Sequence, residues 1–87
     1  MTETAVLPPL EHRRRRALYR GAHRGTKELD WLVGRFAEHR VPAMSESDMD
    51  LFERFLAVAD PDLHAWIMTP QLLAGSEFSE LVHALRA

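Results

Sequence analysis

Apolar residues along this chain recur at three- and four-residue intervals, and no stretch alternates strictly with polar ones, so the pattern selects helices over strands. The signal is clearest over residues 26–40, where Leu29, Leu32, Val33 and Phe36 fall at i, i+3, i+4 and i+7 and make a core-facing stripe. Gly25 breaks the chain before this helix, Glu28 lies in its first turn where the macrodipole favours an acid, and Pro42 ends it. A further helix starts near Ser45, because Ser45 with Asp48, or Ser47 with Asp50, has the spacing of a capping box. Its stripe is Phe52, Phe55, Leu56 and Ala59, widened by Met49 and Leu51. Asp60-Pro61 reads as an N-cap followed by proline at the first helical position, opening a short helix with Leu63, Trp66 and Ile67 that stops before Pro70. After Gly75, Ser76 can cap a last helix with Phe78, Leu81, Val82 and Leu85 inward.

The stretch before residue 25 is less regular. Residues 1–10 carry adjacent prolines and no period, as expected of a flexible N-terminal arm. A helix over 11–22 has only Leu18 and Ala22 on its apolar side. Arg13, Arg16 and Arg20 form a basic stripe on it, while Arg14 and Arg15 point elsewhere and turn the run into a positive collar. The pattern therefore predicts an all-α fold, a compact bundle of five short helices forming a single domain over residues 11–87.

Composition narrows the chemistry. Of the 87 residues 46% are hydrophobic and 28% charged, a globular balance. The chain has no cysteine, which excludes disulfides, thiolate zinc sites, iron–sulfur clusters and thiol nucleophiles. No apolar run is long enough to span a bilayer, and no apolar segment of a secretory signal follows the arginines. A reducing, cytoplasmic setting is expected. The net charge of −2 conceals a polarised chain: residues 1–40 sum to +4 and residues 41–87 to −6. That asymmetry fits either a basic face for an acidic partner or a basic helix lying on an acidic one within the fold.

Candidate catalytic groups do not assemble. His12, His23, His39, His64 and His83 fall on different helices, without the i, i+4 spacing of paired metal ligands. No G-x-S-x-G elbow surrounds a serine, and the glycines are too scattered for a phosphate loop. No catalytic residue, no metal and no stably bound cofactor are expected. Nucleic-acid binding through the collar, with Tyr19 or Trp31 stacking on bases, is weighed down by a pI near 6.2. If the second helix begins near Arg24, then Arg24, Glu28, Trp31 and Arg35 line one stripe away from the core. An aromatic set among charges there has the make-up of a protein-binding hot spot, and Gly34 would leave room for a partner to approach. The plainer reading is an exposed Arg24–Glu28 ion pair with Trp31 packed on the first or fourth helix.

The segment Arg24-Gly25-Thr26-Lys27-Glu28 is an R-G-x-x-E motif, preceded by a basic lead ending in Leu18-Tyr19 and followed by Leu32-Val33-Gly34-Arg35-Phe36. With the F-E-R-F-L block (Phe52 to Leu56) and D-P-D-L-x-x-W (Asp60 to Trp66), it resembles the succinate dehydrogenase assembly factor family, the small flavinylation chaperones, over roughly residues 13–69. Gly21-Ala22 departs from the bulky pair that members often carry before the motif. The resemblance implies a five-helix fold. It also implies a chaperone, not an enzyme, that binds the flavoprotein subunit of succinate dehydrogenase, and often that of fumarate reductase. In the family the factor promotes covalent attachment of FAD to a histidine of that client. On this footing Arg24, Gly25, Glu28, Trp31, Arg35, Arg16 and Arg20 are the expected partner-binding residues, in a protein that is a monomer when free. Arg24 would bind carboxylates or carbonyls of the client, and Gly25 would permit close backbone approach. A general interaction or antitoxin-like module is the rival reading, and a nucleic-acid accessory protein a weaker one.

Overall fold

Side-chain caps open two of the helices, and prolines stand at the start of two others. The computed structural model describes residues 9–87. α1 runs Pro9–Ala22, α2 Lys27–Arg40, α3 Glu46–Leu56, α4 Asp60–Met68 and α5 Ser79–Arg86, with 3-10 turns at Val41–Ala43 and Pro70–Leu73. The all-α bundle of five short helices is as the periodicity predicts.

α1 starts two residues earlier than expected, because Pro9 takes a first helical position, where its missing N–H costs nothing. The remainder of the expected N-terminal arm lies outside the described residues. Thr26 caps α2, its hydroxyl accepting from the Leu29 amide. Of the two capping boxes open at α3 the chain uses Ser45 with Asp48, each side chain accepting from the other's backbone N–H at 3.2 Å. Three expectations need correction. Ala59, not Asp60, is the N-cap of α4, because the Asp60 carboxylate is occupied by an arginine. Ala59 is accordingly exposed and outside the core. Ser76 accepts from the Phe78 amide and opens a turn, so that α5 begins only at Ser79. The two 3-10 turns, each built on a proline, were not indicated by the periodicity.

The core draws on all five helices, with Ala17 of α1 buried in it and Leu10 and Leu18 packed against it. Leu29, Val33, Met49, Phe52, Phe55, Leu63, Val82 and Leu85 are fully buried. An aromatic series crosses it: Phe36, Phe52, Phe55, Phe78 and Trp66, with successive ring centroids 5.6, 6.2, 5.6 and 5.7 Å apart. Each such pair contributes about 0.5–1.5 kcal/mol beyond its buried area.

Beyond its apolar residues, α1 packs across α2 and α3 by two other means. Against α2 it uses small residues: a Cβ built on Gly21 would lie 3.3 Å from the Cβ of Ala37. Against α3 it uses charge, with Arg13 donating to Asp50 at 2.6 Å and to both oxygens of Glu53 at 2.9 Å. The charge asymmetry is thus resolved in part inside the molecule, basic helix on acidic helix.

Candidate protein-interaction site

The turn between α1 and α2 carries the R-G-x-x-E motif, and its arginine points inward. Arg24 precedes the helix, so the expected stripe at i, i+4, i+7 and i+11 loses its first member. Its side chain is only 9% exposed. Nε and Nη2 donate to Oδ1 of Asp60 at 3.0 and 2.7 Å, Nη1 to the Leu56 carbonyl at 2.5 Å, and Nη2 to the Val58 carbonyl at 2.6 Å. The guanidinium therefore closes the C-terminal end of α3, whose last carbonyls lack helical partners, against a carboxylate in the first turn of α4. The carboxylate and carbonyls that Arg24 was expected to seek on a partner are supplied by its own chain.

The backbone of the turn is held separately. Oδ1 of Asp30 accepts from the Arg24 amide and, at 3.0 Å, from the Gly25 amide. Gly25 has φ of 123°, a conformation that side chains with a Cβ rarely adopt. A Cβ there would also lie 3.3 Å from Oδ2 of Asp60. Glu28, three residues further along, faces α4 as well: Oε1 is 3.3 Å from Nε2 of His64. All three motif residues thus meet the start of α4, where Asp60 and His64 stand one turn apart on one face. The two sequence blocks, R-G-x-x-E and D-P-D-L-x-x-W, are the two sides of one junction.

The outward face of that junction carries the remaining candidates. Glu28 and His64 have side chains 60% and 54% exposed. Trp31 is 62% exposed, more open than the packed position of the plainer reading. The Arg35 guanidinium lies over its ring, 4.6 Å from the centroid, and one Nη reaches the Leu85 carbonyl at 3.5 Å. No Arg24–Glu28 ion pair forms among the described residues. Gly34 does not open space for a partner; a Cβ there would lie 3.2 Å from the Ala22 Cα, so α1 already occupies it.

The arginine collar divides. Arg13 is bound to α3, and this pairing raises its pKa while holding the Glu53 carboxyl below its ordinary range, against the opposing effect of burial. Arg14 donates to the Met44 carbonyl at 2.6 Å. Arg16 and Arg20 are exposed along α1, on the candidate list with Trp31 and Arg35. Sequence reasoning passed over Asp30, Asp60 and His64. Asp60 reads only as a helix N-cap, His64 only as an isolated histidine, and no spacing rule links residue 24 to residue 60.

Among the described residues, no three His, Asp or Glu side chains come together as metal ligands. No helix among them is long and apolar enough to cross a membrane.

Residues 15–87 match the family described as flavinator of succinate dehydrogenase. The FAD assembly factor SdhE of Xylella fastidiosa strain 9a5c is 34% identical over 87 residues, covering 100% of this chain and 81% of that protein. The FAD assembly factor SdhE of Acetobacter pasteurianus is 40% identical over 58 residues, 67% of this chain and 53% of that protein. That of Idiomarina loihiensis is 34% identical over 68 residues, 78% and 76% of the two chains. No solved structure matches.

Proposed function

This chain belongs to the family of the flavinator of succinate dehydrogenase, and from that membership we propose that it is an assembly factor that binds the flavoprotein subunit of succinate dehydrogenase and promotes covalent attachment of FAD there. The reading is supported most directly by the exposed face at the R-G-x-x-E turn, where Glu28 and Trp31 stand outward, with the half-buried Arg35 over the Trp31 ring, on a segment whose backbone and arginine are tied down. A rigid, amphipathic face of this kind binds without first ordering itself.

The chain acts as a chaperone and the covalent chemistry belongs to the client. Flavinylation requires the target histidine near the flavin with water limited, and a bound helper supplies that by holding the client's domains in one orientation. Glu28 engages a basic group of the client, Trp31 and Arg35 fill its surface, and Arg16 and Arg20 extend the contact along α1. Gly25 serves through its backbone conformation. The factor itself holds no FAD stably, works as a monomer in the cytoplasm, and takes the flavoprotein of fumarate reductase as a second client.

The test is co-expression of the flavoprotein subunit with and without this chain, in cells lacking an assembly factor of their own, with covalent flavin read by fluorescence of the denatured subunit. A marked rise in covalent flavin when the chain is present is expected. Equal flavinylation in both cultures would overturn the proposal, and the same comparison with the fumarate reductase flavoprotein decides the second client.

A further inference from the structure

Glu28 stands on a short helix start whose placement is fixed from across the molecule. Three observations locate the device. First, Arg24 spends its donors on α3 and α4, and two of them converge on one atom, Oδ1 of Asp60. Second, the other carboxylate oxygen of Asp60 faces Gly25, 3.3 Å from where a Cβ would sit. Third, one turn along α4 from Asp60, His64 meets Glu28. The pairs Arg24–Asp60 and Glu28–His64 are thus two rungs between the same two segments, one shielded and one open to solvent. The shielded rung sets the distance and rotation of the open one.

We propose that Asp60 is a positioning residue: through Arg24 and Gly25 it fixes where Glu28 is presented to the flavoprotein client, without touching the client itself. This rests on the reading of Glu28 as partner-facing. Because the Arg24 donors that reach Asp60 converge on Oδ1, an oxygen at that place is what positions the guanidinium, and the negative charge adds to the stability of the pair. Asparagine can supply that oxygen; alanine cannot. A direct contact of Asp60 with a basic group on the client would have the opposite requirement, since asparagine would fail as alanine does. A merely structural role would weaken the protein whatever stood at position 28.

The experiment measures affinity of the full-length chain for the purified flavoprotein subunit of succinate dehydrogenase, with circular dichroism and urea unfolding of each variant alongside. Asp60→Ala lowers affinity at least about tenfold, the scale of one well-placed interface group, while Asp60→Asn stays within about threefold. In the Glu28→Ala background, Asp60→Ala adds less than about twofold, because the group it positions is gone. Should Asp60→Ala not fold, Asp60→Ser replaces it, too short to meet the guanidinium yet polar enough for a helix start. Asparagine binding as poorly as alanine, or a full Asp60→Ala loss in the Glu28→Ala background, overturns the positioning role while leaving Glu28 as a contact. Unchanged affinity of Glu28→Ala alone overturns the partner-facing reading and the positioning role with it.

Discussion

Gly34 of α2 lies directly against Ala22 of α1, so closely that a Cβ on the glycine would be 3.2 Å from the Ala22 Cα. With Gly21 against Ala37 and Val33, this makes a helix crossing in which neither surface has room for a longer side chain. Gly34→Leu is expected to lose about 1–3 kcal/mol through overpacking, although leucine is the better helix former by roughly 0.8 kcal/mol. Urea unfolding measures the loss, and a variant as stable as the parent would show that α1 can move off α2 freely.

Gly25 and Gly75 both have positive φ, 123° and 83°, but differ in surroundings. Gly75 has nothing within 4 Å of a built Cβ, whereas Gly25 has Asp60. Gly75→Ala is expected to cost about 1 kcal/mol of backbone strain, and Gly25→Ala about 2–3 kcal/mol, because its φ lies further from the left-handed region and its Cβ also pushes on the Arg24–Asp60 pair. Thermal or urea unfolding of the two variants, compared side by side, checks the order; equal losses would remove Asp60 from the explanation.

The helices were legible in the sequence because their signals are local: the Leu29–Phe36 stripe, the Ser45–Asp48 box and the prolines each act within a few residues. The contents of the functional turn were legible only in part. Helical period alone places Trp31 and Arg35 outward; Trp31 is exposed, while Arg35 is half-buried between the Trp31 ring and the Leu85 carbonyl. Arg24 was misplaced because its fate depends on Leu56, Val58 and Asp60, more than thirty residues away, and because a one-turn shift in the start of α2 rotates it from the surface to the interior. Gly34 misled for the same reason: a small residue leaves a space, but only the fold says who fills it.

Arg24→Ala leaves two carbonyls at the end of α3 and the Asp60 carboxylate without their donor. The expected loss is about 2–3 kcal/mol, toward the lower end for a broken ion pair since Asp60 is 30% exposed. Arg24→Lys recovers little of it, because an ammonium cannot reach the acceptors from the positions that the planar fork holds. Unfolding curves for the two variants test this, and full stability in the lysine variant would contradict it.

Glu53 links stability to acidity. Its carboxyl is held below the ordinary range, chiefly by the hydrogen bonds from Arg13, so the unfolded chain binds a proton more readily than the folded one. The contribution is complete above the unfolded value, near 4.3, and is lost as pH falls through the lower folded one. The parent should thus lose stability over this interval more steeply than Glu53→Gln, which has no carboxyl to titrate. Urea midpoints at a series of pH values between about 5 and 2.5 check the slope; parallel curves would rule the residue out as a source of acid sensitivity.

Trp31 offers the cleanest separation of stability from binding, because the chain's two tryptophans sit in opposite environments. Trp66 stacks on Phe78 at the end of the aromatic series and is half-buried, so Trp66→Ala should cost about 2–3 kcal/mol of folding stability. Trp31 touches solvent over most of its surface and has Arg35 across its face, a contact worth about 0.5–1 kcal/mol at an exposed site. Trp31→Ala should therefore leave stability nearly unchanged while reducing affinity for the flavoprotein subunit by about 2 kcal/mol, roughly thirtyfold. In Trp66→Phe, which leaves Trp31 as the sole tryptophan, emission should shift to the blue when the client covers the ring. Unshifted emission at saturating client would place the interface on another face and remove Glu28 and Arg35 from it along with Trp31.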